Sequence, residues 1–479
     1  MVGCKSLNPQ STKKEPAPMQ ITHIGSKHQR NRIKAYREDS NSYSFFNLLT
    51  SDTLLDKVEE RLPLHRERLY PPTETLSMFL AQAMSADRSC QKIVNQAALQ
   101  RLSGGLTTGS TRTGGYCRAR QRLPLEMVSS LTQHLGQQID EQLPDEWRWQ
   151  GRRVRVIDGT TVTMPDTAAN QASFPQQRGQ RAGLGFPIGR LVGITCLASG
   201  ALINAAIGRF NGKGGDEQTL LRTLQDTFQP GDVALGDAFF ATYFFIAAMQ
   251  ARGIDILMEQ QGARKRVTDF RRGQKLGVRD HLMVLTKPKI RPNWMSEVQY
   301  NTAPGSLTVR EFKAGGKIMV TTMVCPKSYP KEMLKALYKS RWHIELDIRN
   351  IKDTLGMNIL SCKTPEMAIK EIWVYLLAYN LIRLMMAQSA LLADIHPRNI
   401  SFKHSLQLWL IYLQQPSMLD EERLKVLFKL IAQQRVGHRP GRIEPRAVKR
   451  RPKAYPLLMK VRDKARAEVK KNGHPEKLK

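Results

Sequence analysis

Acidic residues are scarce in this sequence. Its 479 residues carry 42 Asp and Glu against 74 Lys and Arg, for a net charge of +32. That imbalance argues against a cationic partner and suits a polyanion, nucleic acid ahead of an anionic membrane surface. Charge alone does not separate a non-specific binder from an enzyme. Cysteine is also sparse: Cys4, Cys90, Cys117, Cys196, Cys325 and Cys362 form no CxxC pair and no zinc-ligand spacing. This excludes a disulfide framework or zinc ribbon and reads as scattered, reduced packing residues. Long hydrophobic runs are missing too. Residues 1–37 lack the apolar core of a signal peptide. Residues 191–208 contain Gly and Ser and suit a hairpin, while 372–393 carry Asn380, Arg383 and Gln388 and suit a buried helix. No membrane span is therefore expected, and the location expected is cytoplasmic. Internal repeats are absent, and the glycine-rich run 211–215 lacks the GK[ST] ending of a phosphate loop, so no ATP site is inferred.

What is present divides the chain. A length of 479 residues with 41% hydrophobic content predicts two to four domains. Residues 1–45 are polar and basic and read as a flexible tail. Residues 46–148 have helical periodicity, with a helix start after Pro71-Pro72 and a glycine-rich break at 103–115. Arg118 and Arg122, four apart, share one helix face, which suits DNA docking or a solvated basic face. At Arg152 the period changes. Strands at 154–158, 191–198, 202–208, 233–237 and 253–259, with helices at 217–228 and 241–252, predict a mixed α/β sheet. Residues 262–292 then hold ten Lys and Arg against Asp269 and Asp280, and β-like runs follow at 307–312 and 318–324. A basic β-rich insertion over 262–326 thus separates the first part of the core, 149–261, from its second part, 327–394. Residues 395–479 form a helical, basic C-terminal region, whose last stretch, 435–479, carries sixteen Lys and Arg against four acids. Clustering of positive charge in the insertion and tail favours a nucleic-acid surface.

Three carboxylates are placed for chemistry. Asp158 closes one predicted strand and is followed by Gly159-Thr160-Thr161, Asp237 closes another after Gly236, and Glu345 lies in the helix that begins near Pro330. Converging acids repel one another unless a cation lies between them, and hard oxygen donors suit Mg²⁺. Two such ions can clamp the attacking and leaving oxygens of a phosphoryl displacement. Taken singly, an Asp at a strand end is as readily a turn cap. Around Glu345, Tyr338, Arg341, Glu345 and Lys352 follow one another at intervals of 3, 4 and 7. On a regular helix these share one face, offering an acid for metal, two cations for phosphate and a phenol. An ordinary amphipathic helix would repeat apolar residues there.

The spacing Y-x2-R-x3-E-x6-K resembles the YREK signature of bacterial insertion-sequence DDE transposases of the IS-four family. Asp158-Gly159-Thr160 and Gly236-Asp237-Ala238-Phe239-Phe240 are similar to that family's two aspartate motifs, and the likeness spans about residues 55 to 395. The resemblance implies an RNase H-like catalytic core interrupted by a β-rich insertion. It implies that Asp158, Asp237 and Glu345 bind two Mg²⁺ ions, with Mn²⁺ able to substitute, and that Tyr338, Arg341 and Lys352 grip phosphates. It makes Trp294, in the insertion, the candidate for stacking on a flipped base, with a core role as the alternative. The partners implied are double-stranded DNA, terminal inverted repeats and target DNA, with a homodimer in the synaptic complex at the nucleoid. The reaction implied is cut-and-paste transposition. Two alternatives stay open: an RNase H-fold nuclease without strand transfer, and a domesticated, inactive DNA-binding protein. His343 and Asp347 fall off the active face, Asp166 reads as a turn residue and Trp342 as packing.

Overall fold

A computed structural model describes residues 70–103, 109–212, 214–413, 421–437 and 460–472. The tail expected over 1–45 and most of the basic run after 437 lie outside the described residues. Among the described residues four helices come first: α1 (Pro72–Met84), α2 (Cys90–Ser103), α3 (Gly114–Arg122) and α4 (Leu125–Glu141). Pro72 opens α1 where its missing N–H costs nothing. α4 carries an apolar stripe, Met127, Val128, Leu131, Leu135 and Ile139, that is fully buried.

One nine-stranded sheet forms the core. β1 (Val154–Thr163), β2 (Ile188–Cys196) and β3 (Leu202–Arg209) make an antiparallel meander, and β4 (Val233–Gly236) and β5 (Asp255–Glu259) continue it parallel to β1. β1 is longer than the five residues expected from sequence. The run Gly159-Thr160-Thr161-Val162-Thr163 stays extended because β2 pairs along it as far as Thr163↔Ile188, and its β-branched residues suit a half-buried pleat. Asp158 therefore lies in mid-strand. The insertion is β-rich as expected, with β6 (Gln274–Gly277), β7 (Asp280–Thr286), β8 (Ser306–Ala314) and β9 (Lys317–Thr321). It forms no separate layer. β9 pairs antiparallel with β5, giving the order β3-β2-β1-β4-β5-β9-β8-β7-β6.

Alternation along the strands sorts the two faces. Ile157, Ala234, Ile256 and Met258 pack on one side with the helices α6 (Glu217–Arg222) and α7 (Tyr243–Ala251), which follow the short α5 (Ala168–Ser173). Val154, Val156, Val233, Leu235 and Leu257 pack on the other side with α8 (Lys331–Ser340) and α9 (Trp342–Arg349). Beside them on this second side run α4 and the helix α10 (Pro365–Leu392). Gly136 lets α4 lie directly on β3, since a Cβ there would come within 2.0 Å of the Leu202 carbonyl oxygen.

α10 is the one described helix long and apolar enough to cross a membrane, and 89% of its apolar window is buried inside the protein. Its polar groups are used internally. The Asn380 amide pairs with both backbone groups of Leu202, and the Arg383 guanidinium donates to Asp347. Asp347, fully buried, also accepts from Arg398, whose other nitrogens donate to the carbonyls of Cys196 and Leu197. This network ties α9 to α10 and to the end of β2. Helices α11 (Phe402–Tyr412) and α12 (Glu421–Gln433) pack on α10, and a basic helix, α13 (Arg462–Asn472), ends the described chain.

Candidate active site

The last parallel pair between β1 and β4 is Val156↔Leu235. Two residues further along each chain stand Asp158 and Asp237. Both keep the parity of the residues that face α8 and α9, on neighbouring chains about 4.8 Å apart. α9 brings Glu345 to the same place, buried on its other side through Ile344 and Asp347. The three acids feel one another. Burial pushes the Asp158 carboxyl up to about 6, and the charges of Asp237 and Glu345 push the same way, against the Gly159 N–H and Arg341. Arg341 bridges two of them, donating to Glu345 at 2.8 Å and lying 4.0 Å from Asp158.

The helix that carries these groups is not the single regular one implied by the spacing. It breaks into α8 and α9 at Arg341, where the Arg341 N–H bonds to the Tyr338 carbonyl and the Ile344 N–H to the Arg341 carbonyl, a tighter turn than α. After Arg349 it opens into a π-turn over Asn350–Thr354. The π-turn carries Lys352, whose ammonium donates to the Thr160 hydroxyl at 3.2 Å and the Thr161 carbonyl at 2.8 Å, two and three residues beyond Asp158. Burial lowers the Lys352 pKa. Tyr338 completes the group. Burial pushes its phenol up to about 12, with Arg341 opposing. Its hydroxyl is buried beside Arg341 and finds no partner in hydrogen-bond geometry among the described residues. A buried orphan donor of this kind asks for an acceptor from outside the chain.

Not every expected residue joins this group. Trp294 packs elsewhere: the Arg222 guanidinium lies 4.1 Å over its ring and Phe244 meets it edge-on at 6.1 Å, leaving it 47% exposed. Trp342, expected to pack, is 59% exposed at the start of α9. Asp166 is no mere turn residue, since it pairs with Arg462 at 2.7 Å. The insertion's charge is partly neutralised by acids: Arg264 pairs with Glu311 and Arg271 with Asp269 within it, and Lys265 with Glu259 of β5.

Glu217 is a residue that sequence reasoning missed. It opens α6 after the N-cap Asp216, and its carboxylate lies where a Cβ on Gly159 would stand, with Cδ 2.4 Å from that point. Burial raises its pKa, and Asp237 adds to the rise against Arg190. Nothing local marks it, because Glu217 comes beside Gly159 only through the packing of α6 on β2. Among the described residues, no three His, Cys, Asp or Glu side chains already stand close enough together to hold a metal ion. The donor set nevertheless fits a hard divalent cation: carboxylate oxygens alone, with the Asp158 carboxyl pushed up by burial and, in the same direction, by the charges of Asp237 and Glu345.

Residues 149–381 match the protein family described as transposase DDE domain. The chain is also similar to the transposase InsG for insertion sequence element IS4 of Escherichia coli (strain K12), being 29% identical over 356 residues that cover 72% of this chain and 78% of that one.

Proposed function

We propose that the chain is a DDE transposase of the IS4 type, as the match over residues 149–381 and the 29% identical relative support, with Asp158, Asp237 and Glu345 as its metal-binding triad. As a transposase it is an enzyme that cleaves DNA and transfers the cut strand, and a DDE domain implies dependence on a divalent metal. The observation that carries the assignment is the convergence of the three acids on one sheet face, with Arg341 in contact with two of them.

The metal we propose is Mg²⁺, two ions per site, with Mn²⁺ able to replace it. When bound, the metal supplies Lewis acidity to the attacking and leaving oxygens. The chain's own groups do the rest. Arg341 offers a planar fork that can bind a phosphate through two N–H bonds. Lys352 adds a point charge at the Thr160–Thr161 edge, and the orphan Tyr338 hydroxyl can donate to a phosphate oxygen. Together they hold the scissile phosphate still at the acids, first for attack by water and then for attack by the freed 3′-hydroxyl on target DNA.

We further read the strand order β3-β2-β1-β4-β5 as an RNase H-like core, since an antiparallel meander followed by two parallel strands supports that fold. The boundaries at 149–261, 262–326 and 327–394 remain our division of it. The helices within 46–148 suit the recognition of terminal inverted repeats, and residues 395–479 form the basic flank. Trp294 is proposed to stack on a flipped base, supported by the half of its ring that is open to solvent. A homodimer on paired DNA ends, in the cytoplasm at the nucleoid, completes the reading.

An assay with the element's own ends and a supercoiled target tests the function, with joined product in Mg²⁺ as the expected result. Cleavage without joining would reduce the protein to a nuclease, and binding alone to a DNA-binding protein. Gly159→Ala offers a finer test. The obstacle to its Cβ is the end of a flexible side chain, so the protein should fold normally while the Glu217 carboxylate is displaced. Shifts of about 1 Å at a reacting centre can cost on the order of a hundredfold, so single-turnover cleavage should fall tenfold or more. Unchanged cleavage would show that the Glu217–Gly159 contact serves spacing only.

A further inference from the structure

Asp166, three residues past the end of β1, is held in place by the Gln171 amide at 2.7 Å. It accepts an ion pair from Arg462, the first residue of α13, also at 2.7 Å. The rest of that guanidinium is used as fully. It donates to the Gly183 and Gly185 carbonyls at 3.4 and 3.1 Å and lies 4.2 Å over the Phe186 ring. Arg462 is thus a plug that fixes α13 against the loop following β1. Between that loop and the helix is a cleft of about 820 Å³, lined by Gln176, Gln180 and Arg178 on one side and Arg462 and Arg466 on the other.

The cleft's surroundings are cationic. α13 holds five Lys and Arg against Asp463 and Glu468. Lys464, Lys470 and Lys471 are exposed on it, as are Arg178 and Arg181 on the loop. Asp166, the acid that the core aims into this region, is consumed by Arg462. Position gives this surface its meaning. Asp166 lies eight positions after Asp158, so the two are no more than about 29 Å apart along the chain. One turn of duplex DNA spans about 34–36 Å.

We propose that this cleft binds the phosphate backbone of duplex DNA within one helical turn of the scissile phosphate, and that the Arg462–Asp166 pair is the lock that holds the C-terminal helix there. The proposal rests on the reading of Asp158 as part of the active site. The lock makes an unusual demand on sign. If α13 were a loose polycation, removing the negative charge of Asp166 would leave DNA affinity unchanged or raise it. If the pair positions α13, the same change must weaken binding.

The experiment uses the full chain on a duplex carrying the element's end, in EDTA so that no cleavage intervenes. Affinity is titrated against salt, and single methylphosphonates along the duplex locate the phosphates that matter. Asp166→Asn should weaken binding roughly three- to tenfold. Arg178→Gln/Lys464→Gln/Arg466→Gln, two of them cleft-lining, should flatten the log–log salt slope by about 0.9 for each phosphate that is no longer neutralised. The same triple variant should lose sensitivity at phosphates within a turn of the cut. Unchanged or tighter binding by Asp166→Asn would overturn the lock, and an unaltered phosphate pattern in the triple variant would overturn the cleft as a DNA site. A wild-type pattern with no sensitive phosphate within a turn of the cut would overturn the active-site reading, and the proposal with it.

Discussion

Asp158→Ala, Asp237→Ala and Glu345→Ala are each expected to lose cleavage by on the order of a thousandfold or more while binding the element's ends at least as well as the parent. A metal that stabilises developing charge at both oxygens contributes several kcal/mol, and each 1.36 kcal/mol is tenfold in rate. Binding has a different origin. Affinity for DNA comes from cations that displace counterions, and removing a carboxylate beside a phosphate removes repulsion. Folding should survive, because burial disfavours the Asp158 charge in the folded chain, so that removing it costs little stability. Single-turnover cleavage of a pre-bound end, with a binding isotherm and a melting curve for each variant, separates the terms. Substantial Mg²⁺-dependent nicking by any one variant would remove that residue from the site.

Arg341→Ala is expected to cost at least a hundredfold in cleavage, and Arg341→Lys most of that. As a half-buried i,i+4 pair with Glu345, Arg341 contributes on the order of 1 kcal/mol to stability, so the melting temperature should move little. In catalysis its part is larger, since it contacts Glu345 and lies near Asp158, and its fork presents two parallel donors where a lysine presents a point charge. Lys352→Arg should be milder than Lys352→Ala, because Lys352 works through one ammonium at the Thr160–Thr161 edge. A normally folded, fully active Arg341→Ala enzyme would make the four-residue spacing a coincidence.

How far the site can be read from sequence differs from residue to residue, and the differences have causes. Asp158 and Asp237 stand out because each follows a β-branched or apolar run, and the alternation that buries Val156 and Leu235 also fixes the face on which the acids emerge. The continuation of β1 to Thr163 is hidden, because Gly-Thr-Thr reads locally as a turn and only β2, 25 residues beyond Thr163 at Ile188, holds it extended. The four-residue spacing picks out residues that lie near one another despite the irregular helix. A tight turn at Arg341 and a π-turn at Asn350–Thr354 depart from the regular period in opposite senses, so that the average conceals both. Glu217 and the pairing of β5 with β9 depend on long-range packing, which no local pattern encodes.

The most direct measurement is iron-mediated cleavage of the chain itself. Fe²⁺ bound in place of the native metal, with ascorbate and peroxide, generates hydroxyl radicals that cut the backbone nearest the ion. Cuts confined to the segments around Asp158, Asp237 and Glu345, suppressed by excess Mg²⁺ and lost in Asp237→Ala, are the result predicted. Cuts elsewhere, or a pattern indifferent to Asp237→Ala, would contradict the claim that these three carboxylates share a metal.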